Sequence, residues 1–148
     1  MSKTAAAKEI IQDLLGIIGI QAEVEVTEAN GSLRINLKTP DSGILIGHKG
    51  ENLRSLQYVV NLLLRNKTDE RTYASIDIGG YKAQQEHKLA ILALKTADKV
   101  EKTGIAETLA PMSSYERRVI HVSLHDREKV EVESVGEEPN RRIIIRPK

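Results

Sequence analysis

Two short constellations in this 148-residue chain carry residue types suited to chemistry. The first is Gly47-His48-Lys49-Gly50. Its two glycines let a backbone turn pass close to an anion with no Cβ in the way. A helix starting directly after it points unpaired N–H groups and the positive end of its dipole at the same place. Lys49 and His48 add cationic donors, and Arg54 extends the cluster along the helix. The spacing is not the G-x-x-x-x-G-K-[S/T] of a nucleotide-hydrolysing phosphate loop. Alone, a Gly-x-x-Gly tetrapeptide is more often just a turn, so its surroundings must decide.

The second constellation is Arg117 and His121, four residues apart and so on one face of a helix. Arg117 is suited to fork onto a phosphate, and His121 to donate a hydrogen bond or stack weakly on a base. Without further context, the same pair reads more readily as a solvated helix face with a structural histidine. Arg118 stands beside the pair, and a third basic group, Arg141, Arg142, Arg146 and Lys148, closes the chain. His121 and His125 share a helical spacing, but the segment lacks the Glu of an H-E-x-x-H site and no third ligand is evident, so no metal and no cofactor is expected. Nor does an enzyme suggest itself. Asp77 stands alone at a strand end, Asp126 follows a histidine without a recognisable partner, and the absence of cysteine removes any thiolate nucleophile, thiolate metal site or disulfide.

The elements that position these residues follow from hydrophobic periodicity. Ile10, Ile11, Leu14, Leu15, Ile17 and Ile18 repeat at helical spacing up to Gly19, which predicts a helix of about four turns. Ala22, Val24 and Val26 alternate with acidic residues, and Leu33, Ile35 and Leu37 with polar ones. Asn30-Gly31 between them is the strongest short hairpin signal. A short apolar piece, Ile44–Ile46, leads into the glycine loop, and Leu53, Leu56, Val60, Leu63 and Leu64 predict a helix from about Glu51 to Arg65. Asn66–Arg71 reads as a loop and Arg71–Ile78 as a third strand ending at Gly79-Gly80, a tight join.

Tyr81–Thr103 reads as a helix with Leu89, Ala93, Ala97 and Val100 on one stripe. Its lysines, interleaved with Glu86, Asp98 and Glu101, form a solvated face. Ser113-x-x-Glu116 has the form of a capping box opening a helix that reaches about His125. Val130 and Val132, then Ile143–Ile145, flank Gly136–Asn140 as a hairpin with a long turn.

Composition narrows the choice of ligand. A net charge of +1 supplies no strong global field, so any nucleic-acid contact must come from the local clusters. Four tyrosines and no other aromatic residue are too few for the stacking platforms of RRM or OB-type modules, which leaves backbone contacts and an aliphatic groove. No apolar run approaches a membrane span, and Lys3, Lys8 and Glu9 interrupt the start, so no membrane insertion and a cytoplasmic location are expected.

Ile46-Gly47-His48-Lys49-Gly50 with Leu53 and Leu56 resembles the KH signature, and the element order resembles the type II form. Pro111 to His121, followed by Gly136-Glu137-Glu138-Pro139-Asn140-Arg141-Arg142, resembles the Arg-x-x-x-His (R-3-H) domain of the Jag/KhpB family of SpoIIIJ-associated proteins. The resemblance runs from about Ala6 to Pro147. It implies an α+β chain in two modules, a type II KH domain (α-β-β-α-α-β) over residues 1–80 and a small α/β sandwich of the Arg-x-x-x-His type over 81–148.

It further implies a nonenzymatic regulator that binds single-stranded RNA, or single-stranded DNA, and that is linked to cell elongation and envelope homeostasis. The contacts expected are Gly47, His48, Lys49, Gly50, Arg54, Arg117, Arg118, His121, Arg141 and Arg142. A small single-KH protein is the implied protein partner. The competing class is a protein interaction module in which KH faces pair and the glycine loop is only a turn. Family members usually carry a further N-terminal domain and linker, which this sequence is expected to lack because the KH helix begins almost at Met1.

Overall fold

The computed structural model describes residues 2–68 and 71–148. The chain divides into two compact units, Met1–Lys82 and Ala83–Lys148. Among the described residues the first unit runs α1 (Lys3–Ile18), β1 (Glu23–Ala29), β2 (Ser32–Lys38), α2 (Ser42–Ile46), a single 3-10 turn (His48–Gly50), α3 (Glu51–Thr68) and β3 (Ala74–Ile78). That is the order expected of a type II KH module.

Local chemistry accounts for each boundary. The Ser2 hydroxyl accepts the Ala5 N–H at 3.1 Å and caps α1. Gly19 ends the helix at φ 83°, with its N–H on the Leu15 and Gly16 carbonyls. Asn30 and Gly31 both take positive φ, as a two-residue hairpin that matches strand twist requires.

β1 pairs antiparallel with β2 from Glu23↔Lys38 to Ala29↔Ser32. β2 pairs parallel with β3 from Leu33↔Ala74 to Leu37↔Ile78, so the chain crosses over through α2 and α3 before β3 forms. Leu33, Ile35, Leu37, Ala74, Ile76 and Ile78 are buried on one face of this sheet, in one core with Ile11 and Leu15 of α1 and Leu53, Leu56, Val60 and Leu64 of α3. The other face carries Arg34, Asn36, Lys38, Ser75 and Asp77.

α3 runs on to Thr68 instead of ending at Arg65, with the Thr68 hydroxyl donating to the Leu64 carbonyl at 2.8 Å. The third strand starts at Ala74 rather than Arg71. Asp69 and Glu70, within the expected loop, lie outside the described residues.

β3 is an edge strand, and its backbone is satisfied by side chains. Residues that face β2 bond to it, as in Leu33 N–H to the Tyr73 carbonyl at 2.9 Å. On the other side Asn61 of α3 accepts the Ala74 N–H at 2.7 Å and donates to the Ala74 carbonyl at 2.9 Å. Gln57 accepts the Ile76 N–H at 3.0 Å, and Asp77 Oδ1 accepts the Ile78 N–H at 3.0 Å. An edge that would otherwise template another strand is thereby closed by α3 and by the strand itself.

The second unit contains most of α4 (Tyr81–Thr103), then β4 (Glu107–Thr108), α5 (Ser114–Ser123), β5 (Val130–Val135) and β6 (Arg142–Pro147). Its sheet has the order β4-β6-β5, antiparallel throughout. β4 was not foreseen: two residues are too few to show alternation. Ala93, Ala97 and Val100 of α4 bury against Ile120, Leu124, Val130, Ile143 and Ile145. Lys88, Lys95, Lys99 and Lys102 are exposed as expected, but all three acids interleaved with them have a partner, Glu86 accepting from the Tyr115 hydroxyl. Arg127 Nη2 lies 2.5 Å from Asp98 and 3.2 Å from Glu101, and its hydrogen bond holds the Asp98 carboxyl below the usual carboxylate range.

Asn61→Ala should destabilise the protein by about 2 kcal/mol, because it strips both Ala74 backbone groups of their partner at a fully buried residue. Urea unfolding monitored by circular dichroism measures this. A change within about 0.5 kcal/mol, the range of ordinary surface substitutions, would show that the edge is satisfied some other way.

Candidate nucleic-acid interface

α2 ends at Gly47, whose φ of 71° and ψ of −177° belong to a region open essentially to glycine alone. Space enforces the same choice. Asn52 Nδ2 donates to the Ile44 carbonyl at 2.8 Å, and a Cβ added to Gly47 would sit 2.6 Å from Asn52 Cγ. Gly50 has φ 77°, and a Cβ there would meet the Tyr81 hydroxyl at 3.2 Å and Arg54 Nη1 at 3.4 Å.

Between the glycines Lys49 takes the left-handed conformation at φ 53° and ψ 28°, unusual for a residue with a side chain. Arg54 Nη1 donates to its carbonyl at 2.8 Å. His48 and Lys49 are both exposed. The loop therefore holds two cationic or donor side chains outward in front of α3, an 18-residue helix whose N-terminus is electropositive. Exposed Glu51 opposes that field from the first position of the helix.

Of the expected site residues in this unit, Gly47, His48, Lys49, Gly50 and Arg54 all fall in one patch, with Arg54 partly committed to bracing the loop. Tyr81 borders it and was missed. Lying beyond Gly79-Gly80, it gave no local signal of proximity to Gly50.

In the second unit Ser113 and Glu116 form the expected capping box. The Ser113 hydroxyl accepts the Glu116 N–H at 3.2 Å, and Glu116 accepts the Ser113 N–H at 2.9 Å. The helix stops at Ser123, short of the expected end, so His125 is not on it. The His125 ring instead bonds Asp126 Oδ1 at 2.9 Å. Among the described residues no three histidine or acidic side chains gather as metal ligands.

Arg118 and His121 are exposed on α5. Arg117 is 7% exposed, with Nη1 donating to the Met112 carbonyl at 2.6 Å and Nη2 to Glu138 Oε1 at 2.9 Å. Arg141 donates to the Gly136 carbonyl at 2.7 Å and the Ser134 carbonyl at 3.3 Å, and Arg142 to the Asn140 carbonyl at 3.2 Å. Arg146 pairs with Glu133. Of the basic residues singled out on α5 and at the end of the chain, Arg118 and His121 are thus exposed on α5, while Arg117, Arg141, Arg142 and Arg146 bond to carbonyls or carboxylates of the same unit. Glu138 could not be singled out from sequence as the partner of Arg117, since nothing local links residues so far apart.

A KH module followed by an Arg-x-x-x-His module defines a class of nucleic-acid-binding architecture, and comparison with known proteins agrees with both halves. Residues 6–78 match the KhpA/KhpB KH-domain family, and residues 87–147 match the R-3-H domain family. The chain is 38% identical to the RNA-binding protein KhpB of Clostridium symbiosum, over 86% of this chain and 58% of that protein. It is 30% identical to the RNA-binding protein KhpB of Bacillus subtilis, over 94% of this chain and 68% of that one. Against the KhpB of Streptococcus pneumoniae serotype 2, identity is 27% over 91% of this chain and 41% of that protein. The chain belongs to the KhpB family, and it spans between about two fifths and two thirds of the length of these relatives.

Two substitutions in the loop should move stability in opposite directions. Gly47→Ala should cost about 1–3 kcal/mol, for a conformation closed to side chains and a clash with Asn52. Lys49→Gly should raise stability by up to about 1 kcal/mol, since the left-handed penalty outweighs the added chain entropy of glycine. Urea midpoints of the two variants check both, and a loss of stability in Lys49→Gly would contradict the strained loop.

Proposed function

We propose that this protein binds single-stranded RNA without chemistry and acts in the cytoplasm as a post-transcriptional regulator. One observation carries the reading: the Gly47–Gly50 loop, held in a backbone conformation that only glycine permits at its ends, presents exposed His48 and Lys49 at the N-terminus of a long helix. A glycine loop of this kind clamps about four backbone nucleotides. The names of the relatives support RNA as the ligand. In the second unit Arg118 and His121 are the side chains placed to meet a strand, with single-stranded DNA the competing ligand there. A sequence without a recognisable nucleophile–base pair or metal-ligand motif supports a nonenzymatic role. The link to cell elongation and envelope homeostasis rests on the family resemblance.

A second surface supports pairing with another KH protein. Ile44 is 63% exposed and Ile18 53%, and with Val59 they leave an apolar face around a groove between α1, α2 and α3. Isolated apolar side chains on a surface are ordinary, whereas a contiguous group marks a contact site. Neither His48 nor Lys49 lines this groove, although Asn52, which packs against Gly47, does.

His48→Asp with Lys49→Asp should abolish binding through the first unit and leave the circular dichroism spectrum unchanged, because two carboxylates would face the phosphates. For the wild type, neutralising about four phosphates on a single strand gives a slope of log affinity against log salt near −3. Raising salt from about 50 to 200 mM then costs roughly 50-fold. Fluorescence anisotropy with a labelled 15-nucleotide RNA across a salt series measures both; unchanged affinity in the double variant would remove the loop from the interface.

The purified protein, with or without magnesium or zinc, should leave RNA full length on a denaturing gel. Shortening that disappears in His121→Ala would overturn the nonenzymatic reading.

A further inference from the structure

Arg117 and His121 share a helix face but differ in what they touch. His121 is exposed, whereas the side chain of Arg117 is 9% exposed and donates from Nη1 and Nη2 to two protein acceptors. The first, the Met112 carbonyl, lies one residue before the Ser113 cap of α5. The second, Glu138, lies in the turn between β5 and β6.

The same two segments are joined again by the Met112 N–H, which donates to the Arg141 carbonyl at 3.1 Å. Arg141 in turn ties down the turn through Gly136. The contacts close a ring from the start of α5 through Arg117, Glu138 and the 136–141 turn to Arg141 and back to Met112.

We propose that Arg117 is a positioning residue: it fixes the start of α5 against the β5–β6 turn, so that Arg118 and His121 are held in place to meet nucleic acid. This rests on the RNA-binding reading above and refines it by removing Arg117 from the phosphate contacts. A guanidinium that forks onto a phosphate must offer two N–H groups to solvent. Here Nη1 and Nη2 each donate to a partner inside the unit and the side chain is almost wholly buried, so its remaining N–H groups are not presented to solvent, and taking away either partner leaves a buried cation short of an acceptor.

The competing picture is that Glu138, whose side chain is 61% exposed, stands in for a phosphate and is displaced when RNA binds. The two pictures differ in sign. If Arg117 positions, Glu138→Ala should weaken RNA binding in the same direction as Arg117→Ala, by roughly tenfold, a mid-range coupling effect. The salt slope should stay at its wild-type value in both. If Arg117 meets phosphate, Glu138→Ala should tighten binding, and Arg117→Ala should flatten the slope by about 0.7.

Arg117→Lys separates the pictures again and covers the case in which Arg117→Ala fails to fold. An ammonium keeps the charge but cannot span Met112 and Glu138 as a planar fork does. Positioning therefore predicts loss of affinity close to that of the alanine variant, whereas direct contact predicts a smaller loss than in the alanine variant, with the wild-type slope kept because the charge is kept.

The experiment is fluorescence anisotropy of the whole chain with a labelled 15-nucleotide RNA over a salt series, together with urea midpoints of Arg117→Ala, Glu138→Ala and the double variant. Positioning predicts that the double variant unfolds at the midpoint of the weaker single variant. Additive midpoints, or tighter RNA binding by Glu138→Ala, would overturn the proposal. A wild type that binds no RNA would overturn the RNA-binding reading, and the midpoints would still decide whether Arg117 and Glu138 act as one unit.

Discussion

α3 is bound to β3 in two ways at once, and the first unit depends on the combination. Leu53, Leu56, Val60 and Leu64 bury one stripe of the helix against the sheet. Gln57 and Asn61, on an adjoining stripe, hydrogen-bond the outward backbone of the edge strand. Apolar burial alone is non-directional and would tolerate sliding of the helix along the sheet. Hydrogen bonds to particular backbone groups set the register. Because the glycine loop is the N-terminal extension of the same helix, whatever fixes α3 also fixes where His48 and Lys49 emerge.

The loop itself illustrates how strain and function share a position. Gly47 is a glycine for two independent reasons, positive φ and an Asn52 side chain too close to admit a Cβ, whereas Gly50 is required chiefly by its positive φ. Lys49 has no such licence, yet sits in the left-handed region with its carbonyl held by Arg54. A residue kept in a costly conformation by its surroundings points toward a use for its side chain there. A retained cation at that position fits phosphate binding better than a plain turn.

The arginines of the second unit show that a basic cluster in a sequence is not a basic surface. Arg117, Arg141, Arg142 and Arg146 all find acceptors within the unit, on carbonyls or on Glu133 and Glu138. Guanidinium suits this task because its several fixed donors can join separate segments. What remains outward on α5 is Arg118 and His121, so the electrostatic footprint of this half is smaller than the residue count suggests.

Much of this architecture was legible in the sequence because its signals are local. Periodicity marked α1, α3 and α4, Asn30-Gly31 marked the hairpin, Ser113 and Glu116 marked the cap of α5, and the glycines marked the loop. Signals that need no partner from elsewhere in the chain survive in a linear reading. The helix ends at Arg65 and His125 were misplaced because termini are set by one hydrogen bond more or less, and β4 was too short to have a period. Tertiary structure alone decided which polar side chains face inward. Gln57 and Asn61 carry no mark in the sequence that sets them apart, and Arg117 reads as a motif residue free to meet a phosphate, because their partners at Ala74, Ile76 and Glu138 are distant in sequence and become neighbours only when strands and helices pack.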